Sequence, residues 1–142
     1  HHYEPMDFLV FGAVDDVWVN PQGELMVVDY KATGARQHQV YDDYKRQMEI
    51  YQWLLAQNKF KVSPTGYFVF ARVNKANGFS PPAGGEPVLS FDIFVEPYSG
   101  DYGWLPGVLA QAKGVLNEKS APAPGIDCEY CHYRDSARAA IV

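Results

Sequence analysis

The chain has 142 residues, 47% hydrophobic and 15% aromatic, which is enough for one domain with a real core. Its net charge of -5 argues against a protein that grips nucleic acid through a general basic surface, while leaving room for a local site whose acids a metal neutralises. No apolar run approaches the roughly 18 residues of a membrane span and no signal-like segment is visible, so a cytoplasmic protein with no membrane partner is the default.

His1-His2 reads as the remnant of a purification tag and is given no function. Residues 6–20 read as a bent strand, with Phe8, Val10, Val14, Val17, Trp18 and Val19 as strand formers and Gly12 as the interruption. Asn20-Pro21-Gln22-Gly23 is a turn signal, and Glu24 to Lys31 is the second arm of an antiparallel hairpin, broken at Ala32-Thr33-Gly34-Ala35. Val40, Tyr44, Met48, Tyr51 and Leu55 recur at helical spacing and predict a helix over 39–58. A strand over 67–73, a Gly/Pro-rich loop over 74–87, an antiparallel strand over 88–96 and a helix over 104–118 follow. Residues 120–142 form a tail that holds both cysteines. The order strand, strand, helix, strand, strand, helix predicts a single α/β domain over 1–142, with a mixed central sheet flanked by helices.

Asp29-Tyr30-Lys31 closes the apolar run Leu25 to Val28, and Asp15-Asp16 lies upstream. Strand side chains alternate, so Asp29 and Lys31 share a face. A hard divalent cation takes oxygen ligands and is held by one or two carboxylates plus a substrate phosphate. Asp15 and Asp29 suit that role, and the Tyr30 carbonyl is a third candidate oxygen. Lys31 suits orienting or deprotonating the attacking water, or stabilising charge on phosphorus. The same residues are also compatible with solvated strand ends and a surface lysine. Gln47 and Tyr51 stand four apart on the following helix and share one face, where Tyr51 alone reads as a core aromatic.

Gly12-Ala13-Val14-Asp15, Asp29-Tyr30-Lys31 and Gln47-Met48-Glu49-Ile50-Tyr51 resemble the Gly-x-x-Asp, Asp-Tyr-Lys and Gln-x-x-x-Tyr motifs of the RecB-like branch of the PD-(D/E)XK nuclease superfamily, over roughly residues 7–73. The resemblance implies a restriction-endonuclease-like core and a metal-dependent DNA nuclease of exonuclease type in repair or recombination. It implies magnesium or manganese on Asp15 and Asp29, a catalytic Lys31, and accessory or DNA-facing roles for Gln47 and Tyr51. DNA is the implied partner, with a helicase or other repair-complex subunit beside it. The family core begins with a helix that supplies a further metal ligand; here the chain enters at the first strand, and Glu4 is too near the terminus to replace it. An inactive DNA-binding or scaffolding module of a helicase–nuclease complex is the alternative.

Many relatives carry a four-cysteine iron–sulfur cluster, and Cys128 to Arg134 resembles the start of its C-terminal cysteine group. Ser136, Ala137 and Arg138 stand where a third cysteine is expected, and two thiolates cannot build a four-thiolate cluster, which leaves a relic site or two free thiols. Cys128 to His132 also spells the haem attachment pattern, but the chain shows no export signal; a zinc site there lacks a clear fourth ligand. Arg36, His38, Lys45 and Arg46 surround the helix start as candidate contacts to a DNA backbone, or as a solvated polar face.

Overall fold

A computed structural model describes residues 1–75, 86 and 88–140, in two compact units, His1–Pro106 and Gly107–Val142. The first unit opens with a two-stranded ribbon, β1 (His2–Tyr3) against β2 (Phe8–Leu9), around a single 3-10 turn at Glu4–Met6. His1 belongs to this folded unit: its ring meets Trp53 edge-on, with centroids 5.7 Å apart.

The bent strand predicted over 6–20 is divided. Residues 10–15 take no regular structure, and β3 covers only Asp16–Val19. The cause lies at Gly12, where an added Cβ would stand 2.8 Å from Cε1 of Tyr51, so the backbone passes directly against that ring. Strand β4 (Leu25–Thr33) pairs antiparallel with β3, as the hairpin reading expects, but runs two residues beyond Lys31. Its continuation is held by parallel pairing with β5 (Thr65–Val73), which extends from Val28↔Tyr67 to Thr33↔Arg72. β5 pairs antiparallel with β6 (Phe91–Ser99), completing a mixed sheet of order β3-β4-β5-β6. This is the expected α/β class with a restriction-endonuclease-like core. The predicted loop over 74–87 lies mostly outside the described residues.

A parallel β4–β5 pair needs a crossover, and α1 (Asp42–Gln57) supplies it. Asp42 and Asp43 sit in its first turn, where the helix dipole favours acids, and Asn58 Nδ2 caps its end by donating to the Leu54 carbonyl at 2.8 Å. The core beneath it is Val27, Met48, Phe68 and Phe70, with Tyr44, Tyr51, Leu55, Phe94 and Tyr98 packed around them. Gly66 lets the helix approach the sheet: a Cβ there would collide with Met48 Sδ and lie 2.7 Å from the Val27 carbonyl.

Two polar residues of α1 are buried with the core, and each ties the helix to a distant segment. Gln52 donates to the carbonyl of Pro64 at 2.9 Å. Glu49 accepts from Tyr98 Oη at 2.6 Å, Trp104 Nε1 at 2.6 Å and the Asp101 amide at 3.2 Å. The long helix predicted over 104–118 is observed as α2 (Leu105–Leu116), with Pro106 in its first turn, where proline is tolerated. In the second unit the cysteine tail forms α3 (Glu129–Ala140). Among the described residues no helix is long and apolar enough to cross a membrane.

Candidate active site

Side chains on the helix-covered face of the sheet stand in cross-strand rows. Asp29, Phe68 and Glu96 are register partners, and Lys31, Phe70 and Phe94 form the next row. Alternation along β4 therefore sends Asp29 and Lys31 to the α1 side while Tyr30 points away and remains exposed. Asp29 is not at a strand end; it lies inside β4 and is 2% exposed. Lys31 Nζ approaches Asp29 Oδ2 to 2.6 Å.

Asp15 immediately precedes β3, and the antiparallel register, with Asp16 opposite Val28, carries it to the level of Asp29. Its Oδ2 accepts the Tyr30 backbone N–H at 2.9 Å. The neighbouring Asp16 faces elsewhere: its carboxylate accepts from Tyr30 Oη at 2.9 Å, Trp18 Nε1 at 3.2 Å and the Val17 amide at 2.7 Å. The Tyr30 hydroxyl is the main reason the Asp16 carboxyl is held below the usual range. Of the two adjacent acids, only Asp15 is left to serve the site.

Burial pushes the Asp29 carboxyl up; Lys31 opposes that shift, and the nearby Asp15 adds to it. Asp29 Oδ2 is buried and in ion-pair contact with Lys31, yet it receives no aligned hydrogen bond. Two neighbouring acids, of which only Asp29 contacts the ammonium, leave an excess of negative charge in a partly dry site, an environment that a divalent cation would relieve. The donor set fits a hard ion that keeps most of its water. Among the described residues no group of three or more His, Cys, Asp or Glu side chains is placed to hold a metal.

Gln47 and Tyr51 join this cluster from α1. Lys31 Nζ donates to Gln47 Oε1 at 3.0 Å, and Gln47 Nε2 donates to Tyr51 Oη at 3.0 Å. Because an ammonium has only protons to offer, the lysine sets which end of the Gln47 amide faces it, and the amide then addresses the tyrosine. The Tyr44 ring lies under the same ammonium, with Nζ 4.7 Å from its centroid. Lys31 is thereby held by a carboxylate, an amide and an aromatic face. Gly12 completes the arrangement by giving Tyr51 its space.

The candidate DNA contacts divide. Lys45 and Arg46 are engaged on the helix surface with Asp42 at 2.8 Å and Asp43 at 3.7 Å. His38 is stacked on Phe94, with centroids 4.5 Å apart, and its Nε2 meets Glu96 Oε1 at 2.8 Å, so it belongs to the packed face. Arg36 remains exposed. At the other end of the chain, Cys128 Sγ accepts the Cys131 amide at 3.4 Å at the start of α3, and His132 Nε2 meets the Ile126 carbonyl at 3.1 Å. Both cysteines are free thiols, and the contact between them lowers the Cys128 thiol and raises that of Cys131.

Sequence reasoning passed over Tyr44 as a contact of the lysine and Glu49 as a buried anchor. Tyr44 was readable only as an apolar stripe residue, and a helical glutamate is normally solvated.

A family model described as the PD-(D/E)XK nuclease superfamily matches residues 1–136. No curated protein matches the chain, and no solved structure does.

Proposed function

The chain belongs to the PD-(D/E)XK nuclease superfamily, and from that premise we propose that it is a magnesium- or manganese-dependent deoxyribonuclease of the RecB-like exonuclease type, acting in repair or recombination. The observation that carries the reading is the joined cluster Asp15, Asp29, Lys31, Gln47 and Tyr51, brought together from separate elements around β4.

Asp15 and Asp29 would hold the ion, with the Tyr30 carbonyl as a further oxygen. When bound, the metal polarises the scissile phosphate and acidifies a water. Lys31 orients the attacking water in line with the leaving group and offers positive charge to the phosphoryl oxygens. Gln47 holds the lysine head in place from the helix side, and Tyr51 holds Gln47. The buried setting of Asp29 strengthens each of these electrostatic contacts relative to water.

A labelled DNA oligonucleotide incubated with manganese tests this. The wild-type chain cleaves it, chelation stops cleavage, and Lys31→Ala lowers the rate by about 10²–10⁴-fold with an unchanged circular dichroism spectrum. A folded wild-type chain that leaves every DNA substrate intact in magnesium and in manganese would contradict the catalytic reading and favour the non-catalytic DNA-binding module.

A further inference from the structure

Beyond Lys31 the helix-covered face of the sheet has one more row, Thr33, Arg72 and Asp92. It opens into a cleft of about 380 Å³ whose lining includes Gly34, Arg36, Arg72, Lys75 and Asp92. Three cations and one carboxylate meet here, in a chain whose net charge is -5. Such clustering against the overall sign of the molecule focuses potential on one place.

The cations are also arranged. Arg72 Nη1 donates to the Arg36 carbonyl at 2.7 Å, its Nη2 donates to Asp92 Oδ2 at 3.1 Å, and its guanidinium lies 4.6 Å from the centroid of the Phe94 ring. Five N–H donors on that group leave several unspent. Lys75 Nζ donates to the Gly34 carbonyl at 2.6 Å, which brings an ammonium to the end of β4, and neither Lys75 nor Arg36 has an acidic partner among the described residues. Arg72 is thus held rigidly, and Lys75 and Arg36 are left with charge to offer.

The cleft shares its sheet face with Asp29 and Lys31. Gly34 is three residues past Lys31, roughly 10 Å along an extended strand. Successive phosphates along a strand lie further apart than the roughly 3.4 Å axial rise of a duplex, so this span covers about one or two of them. We propose that Arg36, Arg72 and Lys75 form a phosphate-binding cleft that grips the backbone of the substrate DNA strand about one or two nucleotides from the scissile bond. The proposal rests on the nuclease reading for its substrate, and it concerns binding rather than chemistry.

Binding is measured by fluorescence anisotropy with a labelled single-stranded DNA oligonucleotide in EDTA, over roughly 50–200 mM salt. Lys75→Gln should reduce the slope of log affinity against log salt by about 0.7, the value of one lost phosphate contact on a single strand. Lys75→Arg should restore it, and Lys119→Gln, on an exposed lysine outside the cleft, should leave it unchanged. An unchanged slope in Lys75→Gln, or an equal change in Lys119→Gln, overturns the proposal. Cleavage of the same oligonucleotide in manganese is scored separately. Wild-type cleavage with an unaltered Lys75→Gln slope defeats the cleft alone. A Lys75-dependent slope without cleavage sustains the cleft and defeats the nuclease reading. Neither binding nor cleavage defeats both. Single methylphosphonate replacements then locate the contact: wild-type affinity falls at a phosphate about one or two nucleotides from the cut, and Lys75→Gln shows no further loss there.

Discussion

Asp29 is held in a setting that suits a metal ligand better than a free carboxylate. It is 2% exposed, faces Lys31 at 2.6 Å, and is pushed up by its own burial and by Asp15. A cation that binds the folded chain stabilises it by mass action, about 2.7 kcal/mol when its concentration is a hundred times the dissociation constant. Manganese is therefore expected to raise the melting temperature of the wild-type chain and to leave Asp29→Ala unmoved; equal shifts in both would place the ion elsewhere. Gly12 offers a second test at this scale. Gly12→Ala presses a methyl group against the Tyr51 ring, at 2.8 Å before relaxation. We expect a loss of about 1–3 kcal/mol in denaturant unfolding and reduced cleavage, because Tyr51 positions Gln47 and Gln47 positions Lys31. A fully active, fully stable Gly12→Ala would show that the chain of contacts from Tyr51 to the lysine is not needed.

At the scale of elements, α1 is pinned to the far end of β6 by Glu49, which sits between the two site residues Gln47 and Tyr51 and faces the opposite way. Glu49→Ala strips the hydrogen-bond partner from Tyr98 and Trp104 and is expected to cost roughly 2–3 kcal/mol, read from urea unfolding. Burial first, and Glu49 second, push the Tyr98 hydroxyl up to about 12 from an ordinary value near 10. The folded state therefore holds that proton longer than the unfolded state does. Its stabilising contribution is complete below about pH 10 and is lost as the pH rises through about 12. Tyr98→Phe should be less stable at neutral pH and should lose stability less steeply between those values; an unchanged alkaline profile would contradict the assignment. These anchors also mark where the sequence stopped being readable. The hairpin of β3 and β4 and the stripe of α1 announce themselves through local turn chemistry and periodicity. The partners of Glu49 lie 49 to 55 residues away, and no local pattern signals them. The extra length of β4 has the same origin, since the strand that holds Ala32 and Thr33 in register, β5, begins only at Thr65.

At the scale of the molecule, the three motifs that resembled a nuclease in sequence come together in the first unit, and the family match over residues 1–136 agrees with them. The motif residues were legible because their chemistry depends on alternation along one strand and on four-residue spacing along one helix. The phosphate-facing cleft was not, because Arg72 and Lys75 join Arg36 only through the parallel pairing of β4 and β5. The second unit contributes a capped helix with two free thiols and no assembled metal cluster among the described residues. The proposed chemistry lies within residues 12–51, on Asp15, Asp29 and Lys31. The most direct measurement is a manganese soak of crystals of the chain, with data collected to give an anomalous difference map. A peak is expected between the carboxylates of Asp15 and Asp29, and its loss is expected in Asp29→Ala. A well-ordered site with no peak there, or a peak only at other residues, would contradict it.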